Sequence, residues 1–306
     1  MAAGAEAGGG RAEGAAGAAG AASPLRLHVP TLAGGSGALA PGSELDLPDT
    51  AAAHVKVRRL QPGDALRLFD GTSGLDWPAA VQAITRGAVR VRLADAPLAP
   101  PAAELPLAVT LAFCMPANER VDALVEKATE LGAASLVPLM GERSVLRLQG
   151  ERAERRRAHW QAVAAAACEQ CGRACVPQVQ AVQTLGAWLR YEGSRAGAGR
   201  VAFLLSTEAA APPLARRWDS AQREASLRVS SPAPPQVGRA EAGADVHRGR
   251  DEVLVLSGAE GGFTAAEVKL AEAAGFMPVS LGSRTLRADT APLAAMAWLA
   301  MELESR

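Results

Sequence analysis

Residues 253–267 read VLVLSGAEGGFTAAE. The apolar run Val253 to Leu256 has the length of a strand buried on both faces and is too short for an ordinary helix. Gly258, Gly261 and Gly262 follow at once, so the backbone there can approach a ligand closely. Thr264 and Glu267 then have the spacing of a capping box, in which hydroxyl and carboxylate satisfy free N–H groups at a helix start. Strand, glycine loop and capped helix are the repeating unit of an α/β layer with a largely parallel sheet. Loops at the carboxyl ends of such strands are where open α/β sheets hold cofactors. A plain tight turn is the other reading of these glycines.

The same order recurs downstream. The capped helix ends near Gly275, Phe276 to Leu281 forms a strand, and Leu281 to Thr290 (LGSRTLRADT) is a glycine loop with two arginines. A last helix runs from Thr290 to about Glu304, with Pro292 tolerated in its first turn. Upstream, Leu107–Met115, Ser135–Leu139 and Val201–Leu205 read as strands, and Glu119–Leu131 and Arg152–Cys171 as helices. Val121, Leu124, Val125, Ala128 and Leu131 share one face of the first helix, and Gly132 ends it. Pro97, Pro100, Pro101 and Pro106 mark a linker before this domain. Before the linker, residues 24–101 read as a small β-barrel-like domain. Its strands are Arg26–Val29, Ser43–Leu47, Ala65–Phe69 and Ala88–Leu93, with one helix over Thr50–Arg59. Val89, Val91 and Leu93 alternate with Arg90 and Arg92, a half-buried strand. Residues 1–23 are nearly all Ala and Gly and read as a disordered extension. Residues 211–250, rich in proline, read as a flexible insertion.

Composition narrows the function classes. No apolar run reaches the roughly 18 residues of a membrane span. Four cysteines, three within eight residues, do not make a disulfide framework and point to a reducing cytoplasm. Cys168, Cys171 and Cys175 with His159 form a poor zinc set, because structural sites join two separated ligand pairs; buried thiols are the better reading. The histidines fall in four unrelated segments, with no visible triad. Gly197-Ala198-Gly199 precedes its strand, unlike a dinucleotide fingerprint, and no Gly-Lys-Ser/Thr phosphate loop exists. Formal net charge is zero, yet cations cluster. Residues 54–100 carry seven Lys and Arg against four aspartates, and residues 141–159 six arginines against three glutamates. Both stretches suit phosphate or a solvated face.

Six segments, in order, resemble the RsmE family of bacterial small-subunit rRNA uridine-N3-methyltransferases in the SPOUT superfamily. They are RRLQPGDALRLFDG (58–71), ERVDALVEKATELGA (119–133), GERSV (141–145), ACEQCGR with the following VP (167–177), SGAEGGF (257–263) and LGSRTLRADTA (281–291). The resemblance covers residues 24–306 and implies a PUA-like β-barrel that helps hold RNA. It further implies a SPOUT-type α/β domain over residues 105–306 whose C-terminal chain is tied in a trefoil knot. The implied cofactor is S-adenosyl-L-methionine. It would be held by Gly258, Glu260, Gly261 and Gly262 from one loop, Leu281, Gly282, Leu286 and Arg287 from another, and Leu205 and Glu208 on the third side. Ala259 and Ser283 stand where the family usually has proline, which costs loop stiffness but no functional group. Ala117 stands where a lysine or arginine often precedes the first helix. The family works as a homodimer, and the apolar last helix with Leu293, Met296, Trp298 and Leu299 suits one.

Methylating uridine N3 requires loss of the imino proton and needs no metal. It calls for a general base and a stabiliser of charge on the uracil oxygens, each contributing a factor of about 10² to 10⁴. Glu169, beside Gln170 and Arg173, is the expected base, and Arg287 or Arg143 the expected stabiliser. The target must be unpaired or flipped, so the expected partner is small-subunit rRNA or the small ribosomal particle, gripped through residues 56–67. Two other classes stay open: a noncatalytic RNA-binding assembly protein, and a carboxylate hydrolase using Glu260 with Asp289.

Overall fold

A computed structural model describes residues 24–30, 39–195, 199–225 and 250–305. The expected extension at 1–23 and residues 226–249 of the expected insertion lie outside the described residues. The N-terminal domain contains β1 (Leu25–His28), β2 (Glu44–Asp46), α1 (Asp49–Val57), β3 (Ala65–Phe69), β4 (Trp77–Ile84) and β5 (Val89–Leu93). They form one sheet in the order β1-β3-β4-β5-β2, with β1 parallel to β3 and the other pairs antiparallel. Alternation drives its packing: Val89, Val91 and Leu93 are buried while Arg90 and Arg92 are exposed. Leu27, Leu66, Leu68 and Val81 join them, and α1 closes this core with Ala51, Ala52 and Val55.

The C-terminal domain contains β6 (Ala108–Cys114), α2 (Asn118–Glu130), β7 (Ser135–Met140), α3 (Gly150–Cys171), β8 (Gln178–Val179) and β9 (Gln183–Thr184). It continues with α4 (Leu185–Gly193), β10 (Arg200–Leu205), α5 (Leu214–Ala225), β11 (Glu252–Ser257), α6 (Ala265–Ala273), β12 (Met277–Val279) and α7 (Thr290–Glu304). Every strand pair is parallel, in the order β12-β10-β11-β6-β7-β8, with β9 also on β7. Helices cover both faces, which explains the unbroken apolar strands. In β11, Val253 and Val255 enter the core shared with α2, α3, α5 and α7, whereas Leu254 and Leu256 enter the core shared with α4 and α6. From β11 the chain crosses β10 to place β12 on the sheet edge, and α7 then returns to pack on β11 and α2. The expected trefoil knot requires a path of this kind. Among the described residues no helix is long and apolar enough to cross a membrane.

Part of the expected insertion is a core element. Leu214, Trp218 and Ala221 recur on one face of α5 and are at most 4% exposed. Trp218 packs between Phe203 and Trp298, with ring centroids 6.2 Å away on each side. Pro212 and Pro213 suggested a loop, but they stand just before the helix, where proline is tolerated. In α7, Met296 and Leu299 are fully buried in the chain's own core, so of the four apolar residues assigned to a dimer only Leu293 and Trp298 keep exposed surface.

A polar joint ties the two domains. Arg26 of β1 donates to both oxygens of the fully buried Asp76 at 2.9 and 2.7 Å, and to the carbonyls of Cys168 (2.7 Å) and Arg173 (3.1 Å) at the end of α3. Its guanidinium lies 4.6 Å from the centre of the Phe69 ring. Gly172 ends α3 at φ 94°, and a Cβ there would come within 3.0 Å of Pro101. Glu169 and Arg173, expected in catalysis, belong to this joint. Glu169 accepts the N–H of His28 at 2.8 Å and lies 3.5 Å from His54 Nδ1, with its carboxyl pushed up by burial. Arg173 is 2% exposed. It donates to Glu104 and to the carbonyls of Thr129 (2.6 Å) and Ala133 (2.9 Å), all within the protein interior.

Candidate active site

The loops after β10, β11 and β12 leave the carboxyl ends of three adjacent parallel strands and converge on a cavity of about 610 Å³. All ten expected cofactor contacts line it: Leu205 and Glu208, then Gly258, Glu260, Gly261 and Gly262, then Leu281, Gly282, Leu286 and Arg287. Its size falls within the range of small-molecule and cofactor sites, about 300 to 1,000 Å³. Two glycines are obligatory for shape. Gly282 adopts φ 109°, and a Cβ on Gly258 would sit 3.2 Å from Phe263 and 3.3 Å from the Gly262 backbone. A second cavity of about 800 Å³ lies at the amino ends of the strands, beside Ala108, Ser135 and Glu252, and receives none of these loops. The smaller cavity is the one that gathers both glycine loops and the cations Arg284 and Arg287.

Charge at this cavity is arranged around Arg120, at the start of α2. Its guanidinium stands 3.2 Å from Glu260 and 3.8 Å from Asp289, and the N–H of Ala117 donates to the same Glu260 oxygen at 3.1 Å. The two carboxylates of the hydrolase reading therefore both turn to one arginine, instead of facing a scissile bond as an acid and base. Arg287 and Arg284 line the cavity with no carboxylate partner among the described residues. Arg143 lies on the outer side of the β11–α6 loop. There it packs on Gly261 and donates to the carbonyls of Gly261 (2.7 Å) and Phe263 (3.2 Å).

The capping box has a second use. One Glu267 oxygen accepts the Thr264 N–H at 2.8 Å and the other the Glu142 N–H at 2.7 Å, while Thr264 Oγ1 accepts the Glu267 N–H at 3.2 Å. Glu267 is 5% exposed. Together with Arg143 it laces the β7–α3 loop to the cofactor-side loop. The nearby Cys114 thiol is pushed up to about 12 by burial and by the Glu267 charge. Sequence reading passed over both Arg120 and Glu267. Arg120 lay inside a quoted motif as one more helix charge, and Glu267 read as a cap alone.

A model of the RNA methyltransferase domain matches residues 103–300, and a model of the RNA methyltransferase PUA domain matches residues 47–94. The chain belongs to the RNA methyltransferase family. The ribosomal RNA small subunit methyltransferase E of Synechocystis sp. is 34% identical over 250 residues, covering 82% of this chain and 70% of that one. The protein of the same name from Mycobacterium tuberculosis is 28% identical over 264 residues, covering 82% and 87%. Among solved structures, the small subunit methyltransferase E of Neisseria gonorrhoeae, bound to S-adenosyl methionine, superposes with TM-score 0.71 at 28% identity over 92% of this chain and 98% of that one. Family membership thus rests on both domains, in the order expected of an RNA methyltransferase that carries its own RNA-holding module.

Proposed function

We propose that this protein transfers a methyl group from S-adenosyl-L-methionine to N3 of a uridine in small-subunit rRNA. The observation that carries the reading is the convergence of three loops, two of them glycine-bearing, on one cavity at the carboxyl ends of β10, β11 and β12. A Gly258 Cβ would close on the loop's own backbone, and Gly282 holds a left-handed turn; both leave peptide groups bare for a cofactor with many polar atoms. Glu208 and Ser206 offer acceptors for its hydroxyl and ammonium groups, while Leu205, Leu281 and Leu286 cover its apolar edges. S-adenosylmethionine supplies an electrophilic methyl group on a sulfonium. Arg287 lines the cavity and meets the charge that develops on the uracil oxygens as the N3 proton passes to solvent water and the sulfonium is released as the neutral thioether. Arg120 fixes Glu260 and Asp289, and so the shape of both loops. Glu169 and Arg173 take no part in this chemistry within one chain, since they serve the domain joint.

The partner is small-subunit rRNA, free or in the ribosomal particle, and the workplace is the cytoplasm. The β domain presents Lys56, Arg58 and Arg59 as exposed cations beside Val57, a face suited to phosphate. A second copy of the chain packs on α7, where Met301 is 73% exposed and Trp298 is half-buried. The test is incubation of the purified protein with radiolabelled S-adenosylmethionine and small subunits lacking the modification, followed by nuclease mapping and mass spectrometry. N3-methyluridine at one site is the expected product. Cofactor binding without transfer to subunits or free rRNA overturns the reading in favour of a noncatalytic binding protein. Sedimentation of the cofactor-bound protein as a monomer overturns the dimer.

A further inference from the structure

The first two turns of α3 carry Arg152, Arg155, Arg156 and Arg157. Against them stand only Glu151 and Glu154, so the positive end of the helix dipole keeps a net positive charge, and no side chain caps the helix start. Arg157 is paired with Glu154 at 2.9 Å. Arg152, Arg155 and Arg156 have no carboxylate within ion-pair distance among the described residues, and the first two are exposed. The fold makes no use of their charge, so the arrangement calls for an anionic partner.

Contacts fix where this flank points. Arg152, Arg155 and Arg156 stand seven, four and three residues before His159 and so share its side of the helix. His159 meets Asp122 of α2 at 2.9 Å, and α2 begins beside Glu260 through Ala117 and Arg120. At the other end, the loop leading into α3 carries Arg143, seated on Gly261. The helix that carries the flank is therefore tied, through α2 at one end and through its leading loop at the other, to elements that touch the loop Gly258 to Phe263. The three arginines do not line the cavity itself, and they are separate in the chain from the cations of the β domain.

We propose that the α3 flank of Arg152, Arg155 and Arg156 holds the sugar-phosphate backbone beside the target nucleotide, which makes the catalytic domain itself a second RNA grip. This rests on the proposed function. Such contacts carry no base specificity, but they set register and position the flipped base over the cavity. Each phosphate neutralised on single-stranded RNA releases about 0.7 of a counterion, so three contacts steepen the salt dependence by about 2.

The test compares wild type with the triple variant R152Q/R155Q/R156Q and with R157Q, a control on the opposite side of the helix. Filter binding to unmodified small-subunit rRNA across a potassium chloride series is read beside methyl transfer and calorimetric binding of S-adenosylmethionine. The triple variant is expected to lose about 2 from the salt slope and to raise KM for RNA roughly 10- to 100-fold, while kcat at saturating RNA and cofactor affinity hold. Its melting temperature should equal or exceed that of wild type, because cations have left the positive end of a helix. R157Q should keep the wild-type slope. An unchanged slope and KM in the triple variant overturn the assignment, and so does a lowered melting temperature, which would make the arginines structural. If wild type binds cofactor but methylates no RNA, the proposed function fails, and the salt slope still decides the α3 flank.

Discussion

Two clusters of arginine and carboxylate stand in this protein, and they differ in how many donors are already spent. At the domain joint Arg26, Asp76, Arg173 and Glu104 are all at most 8% exposed, and both guanidiniums are surrounded by protein acceptors. At the cavity Arg120 and Glu260 are about a third exposed, and Arg287 has no carboxylate partner among the described residues. A buried arginine with its fork filled holds architecture, because any movement toward a substrate would strand a charge in the interior. An arginine with donors left at a cavity mouth can answer charge that appears during a reaction. Residue type is the same in both clusters; function follows from what remains unsatisfied.

The largest effect should come from the joint. R173A leaves the Glu104 carboxylate buried without its main partner, a loss of about 3 to 5 kcal/mol of stability. Thermal or urea unfolding measures it, and calorimetry on the folded fraction should return wild-type affinity for S-adenosylmethionine. A stable R173A protein with a collapsed kcat would reverse the contrast and return Arg173 to catalysis.

At the cavity the expectation is opposite in kind. R287A should lower kcat about 10² to 10³-fold, the cost typical of removing one donor from a developing oxyanion, with melting temperature unchanged. A KM effect on RNA alone, with kcat intact, would make Arg287 a phosphate anchor instead. Smaller still is E267Q. The amide keeps one acceptor, so either the Thr264 or the Glu142 N–H loses its partner, at about 1 to 3 kcal/mol for a buried donor. Because Glu267 spans two loops, cofactor affinity should fall together with stability, whereas R173A separates the two.

The same contrast explains what could be read in advance. Period-2 and buried-run patterns located most strands, and the Thr264 capping box marked its helix start. Gly258, Gly261, Gly262 and Gly282 were legible because glycine loops between strand and helix fall at the carboxyl end of a parallel sheet, whereas Leu205, Glu208 and the other cavity residues came only from the resemblance to a known family. β4 escaped because Trp77 to Ile84 contains Pro78 and small residues without alternation. α5 escaped because its Leu214, Trp218 and Ala221 stripe follows two prolines. The place of Glu169 and Arg173 at the joint escaped for a different reason. A motif on a helix does not say what packs against each side, and here the neighbour is the other domain, from which Arg26, His28 and His54 arrive over 100 residues earlier in the chain.

Glu169 gives the gentlest test. Its carboxylate is half-buried against the His28 N–H, and burial raises its pKa above the ordinary 4.5. A carboxyl raised by folding favours the folded state most when protonated: its contribution is complete below the unfolded value and is lost as pH rises through the folded one. E169Q cannot ionise, so it escapes that loss while retaining an oxygen for the His28 N–H. The melting temperature of E169Q relative to wild type should therefore rise as pH is taken from below 4.5 to neutrality. kcat at saturating RNA should stay within about threefold of wild type, far from the factor of about 10² or more that loss of a general base costs. A hundredfold drop in kcat with no pH-dependent change in stability would place Glu169 at the reacting nitrogen, reached across a dimer from the other copy, and would end the division between the joint that holds and the cavity that reacts.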